Sequence, residues 1–154
     1  IISSYLLGNT GRDIPTMLDY QTHIKKDSMF NTPPVFSVYV SMLTLQWLKK
    51  NGGVGEIEKI NNQKAKLLYD EIDRNSLFVG FANKDDRSTM NVTFNLVNKE
   101  NQEEFDLLCF NNGINGLKGH RSVGGYRASL YNALPISSVE HLVKLMQKFE
   151  KKHD

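Results

Sequence analysis

Residues 118–127, Lys-Gly-His-Arg-Ser-Val-Gly-Gly-Tyr-Arg, concentrate the most reactive chemistry of the chain. Lys118, His120, Arg121 and Arg127 surround the Gly124-Gly125 step, and no carboxylate stands among them. Such a segment suits an anion. His-Arg-Ser on a glycine-rich loop fits a phosphate, because glycine permits unusual backbone angles and close approach of a ligand; the competing reading is a solvated loop. Arg127 lies in the alternating run Tyr-Arg-Ala-Ser-Leu-Tyr, where it shares a strand face with Ser129 and Tyr131 while Ala128 and Leu130 point the other way. From there it can hold a carboxylate through two parallel hydrogen bonds, or it is an exposed edge charge.

A second constellation is Phe-Asn-Thr-Pro-Pro at 30–34. Pro33 and Pro34 fix an extended approach to a long apolar helix. Asn31 and Thr32 stand where polar side chains cap helices, and capping alone would account for them. Other chemistry is scarce. His23, His120, His141 and His153 have no His or Cys partner at metal-ligand spacing, so no metal is expected. Neither a GxxxxGK[ST] phosphate loop nor a G-x-S-x-G nucleophile turn occurs. The single cysteine, Cys109, sits in the apolar run Phe-Asp-Leu-Leu-Cys-Phe and reads as a core thiol.

The elements that must carry these residues follow from composition and periodicity. With 154 residues, 40% of them apolar and 23% charged, the chain has material for one folded domain or the end of a larger one. A net charge of +2, with the basic residues scattered, gives little support for nucleic-acid binding. No run of about 20 apolar residues and no signal peptide is read, so neither membrane attachment nor secretion is expected and a reducing cytoplasm fits. The opening Ile-Ile-Ser-Ser-Tyr-Leu-Leu lacks an initiator methionine and reads as a buried strand in need of sheet neighbours. The expectation is therefore a C-terminal piece of a larger protein.

Residues 9–34 are rich in turns, with a short helical turn near Pro15. Val35–Lys50 reads as a helix apolar around so much of its circumference that it is buried or lies at an interface. Asn-Gly-Gly at 51–53 stops it. A more polar helix follows, with Ile57, Ile60, Ala65, Leu68 and Ile72 as its inner stripe. Two strands come next, in 77–82 and 89–97, the second burying Met90, Val92, Phe94 and Leu96. A helix over about 101–112 then precedes two strands, one near Ile-Asn-Gly-Leu-Lys-Gly at 114–119 and one in 125–131. Ser137 and Glu140 form a capping box for the last helix. The order from residue 77 is β-β-α-β-β-α, an α+β unit with helices on one face of a mostly antiparallel sheet, preceded by long helices.

Three stretches together, Met29–Asp73 with its Asn-Thr-Pro-Pro, Arg87–Phe94 with its Arg-Ser-Thr-Met-Asn, and Lys118–Pro135 with its Gly-His-Arg-Ser-Val-Gly-Gly-Tyr-Arg-Ala-Ser, resemble the C-terminal part of phosphoserine aminotransferase. The resemblance runs in order from about Leu7 to His153. It implies a fold-type I enzyme dependent on pyridoxal 5′-phosphate, a homodimer with active sites at the subunit interface. It further implies an amino-group exchange linking phosphoserine and 2-oxoglutarate with 3-phosphohydroxypyruvate and glutamate, in serine synthesis. By the same resemblance Asn31 and Thr32 reach the cofactor phosphate of the partner subunit, His120 and Arg121 bind the substrate phosphate, and Arg127 holds the α-carboxylate. Residues 1–34 would end the large cofactor domain, 35–75 would be connecting helices and 76–154 the small domain. The family's Schiff-base lysine lies upstream of the matched portion, and Lys118 belongs instead to the substrate-binding motif. The isolated chain is therefore expected to be inactive. A different fold-type I aminotransferase, or a stand-alone anion-binding or interaction module, are the alternatives.

Overall fold

The computed structural model describes residues 3–8 and 11–153, in two compact units that divide between Lys50 and Asn51. The first unit holds 3-10 turns at Ser4–Leu6 and Thr16–Leu18, a short helix α1 (Tyr20–Ile24) and the long helix α2 (Val35–Lys50). The expected N-terminal strand is not formed where the chain is described. Ser4–Leu6 closes local bonds instead, from the Leu6 amide to the Ser3 carbonyl at 3.0 Å and from Leu7 to Ser4 at 3.1 Å. A strand needs neighbours for its backbone groups, and none pairs with it; Ile1 and Ile2 lie outside the described residues. The turn near Pro15 is present, its carbonyl accepting from the Leu18 amide at 2.8 Å. Helix α2 matches the expected range, yet none of its residues is buried: Phe36 is 80% exposed and Val35 66%.

The second unit carries the core. Helix α3 (Gly53–Arg74) follows the Asn-Gly-Gly turn, where Gly52 takes φ 90°. Strands β1 (Phe78–Gly80), β2 (Asn91–Leu96) and β3 (Tyr126–Ser129) make an antiparallel sheet in the order β1-β2-β3. Helix α4 (Gln102–Asn111) intervenes, and α5 (Ile136–His153) ends the chain. Side chains alternate across a strand, so Val92, Phe94 and Leu96 of β2 join Tyr126 and Ala128 of β3 beneath α3, α4 and α5. Phe78, Phe94, Phe105 and Phe149 meet in this core, Phe78 and Phe105 with ring centroids 5.1 Å apart. The other sheet face carries Val79, Thr93, Asn95 and Arg127, and among the described residues of this unit no helix covers it. The architecture is α+β with helices on one sheet face, as expected.

Two expected details differ. The segment 114–119 contributes a single antiparallel bridge, Lys118 to Tyr126, and no strand; Gly113 and Gly116, at φ 79° and 74°, keep turning the chain. Ser137 lies inside the first turn of α5 and does not cap it, because the helix already starts at Ile136 and the Pro135 carbonyl accepts from the Ser138 amide at 3.0 Å. No described helix is long and apolar enough to cross a membrane.

Polar residues also enter the core face of α3. Glu71, 4% exposed, accepts from Arg74 at 2.6 Å, Asn75 at 2.8 Å and Gln147 of α5 at 3.0 Å. Burial alone would raise its carboxyl, but these hydrogen bonds and the Arg74 charge outweigh it and hold the group below its ordinary 4.5. A depressed carboxyl stabilises fully above its unfolded value and loses that contribution as pH falls through the folded one. Glu71→Gln is expected to lower unfolding free energy by about 1.5–3 kcal/mol at neutral pH. In urea titrations the gap from the parent chain should narrow once pH drops below 4.5; a gap constant down to strongly acid pH would refute the assignment.

Candidate functional site

The cationic segment forms a tight hairpin loop on the open side of the sheet. Its legs are tied by Arg127 N–H to the Leu117 carbonyl at 2.7 Å and Gly119 N–H to Gly125 at 2.8 Å. Its tip closes through the Val123 and Gly124 amides, which share the His120 carbonyl at 3.0 and 2.8 Å. Two glycines are required here. A Cβ on Gly119 would strike the Gly124 carbonyl, and one on Gly125, at φ 63°, would strike the Asn95 side chain.

The four cations do not share one environment. Lys118 Nζ pairs with Asp106 Oδ2 on α4 at 2.9 Å, while Tyr126 donates its hydroxyl to Asp106 Oδ1 at 2.9 Å. Asp106 therefore pairs with Lys118 and ties both bridged residues to α4. Burial, then the bond to Asp106, pushes the Tyr126 hydroxyl well above its ordinary range. Cys109, one turn further along α4, is pushed up to about 12 by burial and then by the Asp106 charge, as befits an inert core thiol.

His120, Arg121 and Arg127 remain. All three are exposed, and within the described residues none has an acidic partner. His120 and Arg127 line one cavity of about 160 Å³ together with Phe81, Thr93, Asn95 and Gly124. Arg121 sits at the loop tip beside His120 and does not line that cavity. The His120 ring is oriented by Ser122, whose amide donates to Nδ1 at 3.3 Å and whose Oγ lies 2.8 Å from it. With Nδ1 an acceptor, the ring proton belongs on Nε2, which becomes a donor for an anion. Of the two hydroxyl residues expected beside Arg127, Ser129 donates to Asn91 Oδ1 at 3.4 Å. Tyr131 lies beyond the end of β3 and does not share the strand face.

The strand bearing Arg127 is held at its far end by Lys64 of α3. This side chain is fully buried, and its ammonium donates to the carbonyls of Leu130 at 3.2 Å, Tyr131 at 2.8 Å and Leu134 at 3.1 Å. Burial without a carboxylate partner lowers its pKa. Nearby, Asn61 donates to the Asn132 side chain at 2.8 Å. The periodicity of α3 did carry this signal, since Asn61, Lys64 and Glu71 fall on the same stripe as Ile57, Ala65, Leu68 and Ile72.

In the first unit, Asn31 donates from Nδ2 to the Thr32 carbonyl at 3.1 Å, and both residues are exposed. They do not cap α2. The Pro33 and Pro34 carbonyls accept from the Val35 and Val38 amides at 2.8 and 3.1 Å, which leaves the Thr32 hydroxyl without a partner among the described residues. The Arg87 of the third motif is structural: it forks onto Asp73 at 2.9 and 2.6 Å and lies 4.5 Å over the Tyr69 ring.

The model of the class-V aminotransferase family matches residues 3–142. This chain belongs to that family. The phosphoserine aminotransferase of Flavobacterium psychrophilum is 62% identical over 152 residues, which are 99% of this chain and 43% of that protein. That of Porphyromonas gingivalis is 54% identical over 155 residues, again 99% and 43%. In three dimensions the chain superposes on a phosphoserine aminotransferase from Bacillus circulans subsp. alkalophilus with TM-score 0.85 and 44% identity, over 92% of this chain and 39% of that one. The pyridoxal-phosphate-bound phosphoserine aminotransferase of Trichomonas vaginalis gives TM-score 0.78 and 36% identity, over 87% and 39%. The chain thus spans about two fifths of the length of these relatives. In this class-V aminotransferase chain the Ser122 contact makes a checkable statement. At pH above the imidazole transition, nitrogen-15 shifts of His120 should show the Nε2–H tautomer, and a dominant Nδ1–H form would contradict the donor role.

Proposed function

We propose that this chain is the C-terminal portion of a phosphoserine:2-oxoglutarate aminotransferase of serine biosynthesis, a cytoplasmic homodimer dependent on pyridoxal 5′-phosphate. The supporting observation is the convergence of His120 and Arg127 on one small cavity, with Arg121 on the same loop and no acidic partner for any of them among the described residues. Two anions are served. His120 and Arg121 bind the phosphate of phosphoserine or 3-phosphohydroxypyruvate, and Arg127 holds the α-carboxylate by a two-pronged bond. Glutamate and 2-oxoglutarate use the same His-Arg pair for their distal carboxylate, so one site serves both half-reactions. The names of the relatives and solved structures support this substrate class.

The residues present fit the phosphate end of the cofactor. Thr32 offers an unpartnered hydroxyl and Asn31 an exposed amide, neither consumed by helix capping. Held there, from the partner subunit, pyridoxal phosphate would supply the electron sink of the reaction. Helix α2 exposes Val35, Phe36, Val38 and Leu45, apolar surface of the kind that other protein covers, which supports assembly of the homodimer. The partition into large-domain end (1–34), connecting helices (35–75) and small domain (76–154) belongs to the same proposal, although α3 packs its inner face onto the sheet of the second unit.

The chain by itself is proposed to be inactive. Burial lowers the pKa of Lys64, but its three donors are committed to three carbonyls inside the core. Incubation of the chain with pyridoxal phosphate followed by borohydride should leave Lys64 unmodified by peptide mass mapping. A stoichiometric adduct on one lysine, accompanied by transaminase turnover, would overturn the claim. In the complete enzyme, Arg121→Ala should weaken phosphoserine about ten- to a hundredfold more than a non-phosphorylated amino acid, the worth of one charged hydrogen bond. An equal loss for both substrates would assign Arg121 a purely structural role.

A further inference from the structure

The cavity beneath the loop has a floor that neither the motifs nor the charges account for. Thr93 stands directly opposite Arg127 in the β2–β3 register, and Asn95 follows two residues later on the same open sheet face. Both line the cavity with His120 and Arg127. Both are half-buried, and neither side chain has a hydrogen-bond partner among the described residues. Their polar atoms are therefore open to water or to a ligand. Asn95 also reaches the loop: its side-chain amide lies against Gly125, at the spot a Cβ there would occupy. The space, about 160 Å³, is small but has room for an oxyanion group.

We propose that Thr93 and Asn95 are further ligand-binding residues, the neutral half of an oxyanion subsite. In it the Thr93 hydroxyl and the Asn95 amide N–H donate to the oxyanion whose charge Arg127 neutralises, in the cavity that His120 also lines. The subsite rests on the anion-binding reading above and adds specificity to it. Cations alone attract any anion, whereas donors fixed on a rigid strand accept only a group whose oxygens reach them. Gly125 is part of the device, because any side chain there would displace Asn95.

The test uses the nitrogen-15-labelled chain titrated with inorganic phosphate and, in parallel, with acetate, which separates the two oxyanions. Saturable shifts are expected on the Asn95 side-chain NH2, the Thr93 amide and the Arg127 Nε–H. Thr93→Val, which keeps shape and removes the hydroxyl, should weaken the better of the two ligands about three- to tenfold, and Asn95→Asp more than tenfold. Asn91→Asp is the control. It puts the same charge on the same strand face outside the cavity, where Asn91 meets Ser129, and should cost much less. Wild-type affinity in both Thr93→Val and Asn95→Asp, or an equal loss in Asn91→Asp, would overturn the subsite while leaving the anion-binding reading intact. Absence of any saturable response in the parent chain would overturn both.

Discussion

Burial of Tyr126 and Ala128 against Val92 and Phe94 forces Arg127 to the opposite face of β3, and the rest of the site depends on that alternation. Among the described residues of the second unit, helices cover one sheet face only, so a cation on the other face is open to water. Tyr126 stacks on Phe94 at a centroid distance of 5.2 Å and so pins the register in place. A slip by one residue would bury Arg127 and expose the aromatic ring. The same register sets Thr93 beneath Arg127 and brings Asn95 under Gly125.

The helices secure what the sheet aligns. Asp106 of α4 reaches both residues of the Lys118–Tyr126 bridge, and Lys64 of α3 gathers the three carbonyls that follow β3. The two anchors differ in worth. The Lys118 end is largely solvent-exposed and contributes little, as surface ion pairs do. Lys64 is fully buried, and removing it would strand carbonyls that have lost their water. Between these anchors the hairpin loop presents His120 and Arg121 from a backbone closed by its own hydrogen bonds.

Helix α2 and the core of the second unit obey opposite economies. In α3 and α5 the apolar residues form one stripe and are buried, whereas α2 is apolar around its circumference and none of its residues is covered. A helix of that kind draws its stability from packing, not from intrinsic propensity.

Much was legible in the sequence because it depended on local period and residue type. The range of α2, the inner stripe of α3, the β2 alternation through Val92, Phe94 and Leu96, and the outward face of Arg127 all follow from spacing. The family resemblance implies roles for His120, Arg121 and Arg127 that spacing left open, and these roles stand as proposals. The failures have equally physical causes. Apolar content reads as a strand over the first seven residues, but a strand exists only if something pairs with it, and Ser4–Leu6 forms a 3-10 turn. The expected strand near 114–119 is reduced to one bridge by its glycines. Charge pairing was illegible altogether. Asp106 meets Lys118, and Lys64 meets the carbonyls of 130–134, across 12 and up to 70 residues of chain. Sequence by itself determined which residues face in or out and which carry charge, since those depend on a period of two or 3.6. Only the tertiary structure decided which charges stay unpaired for a ligand, because that depends on partners brought together by folding.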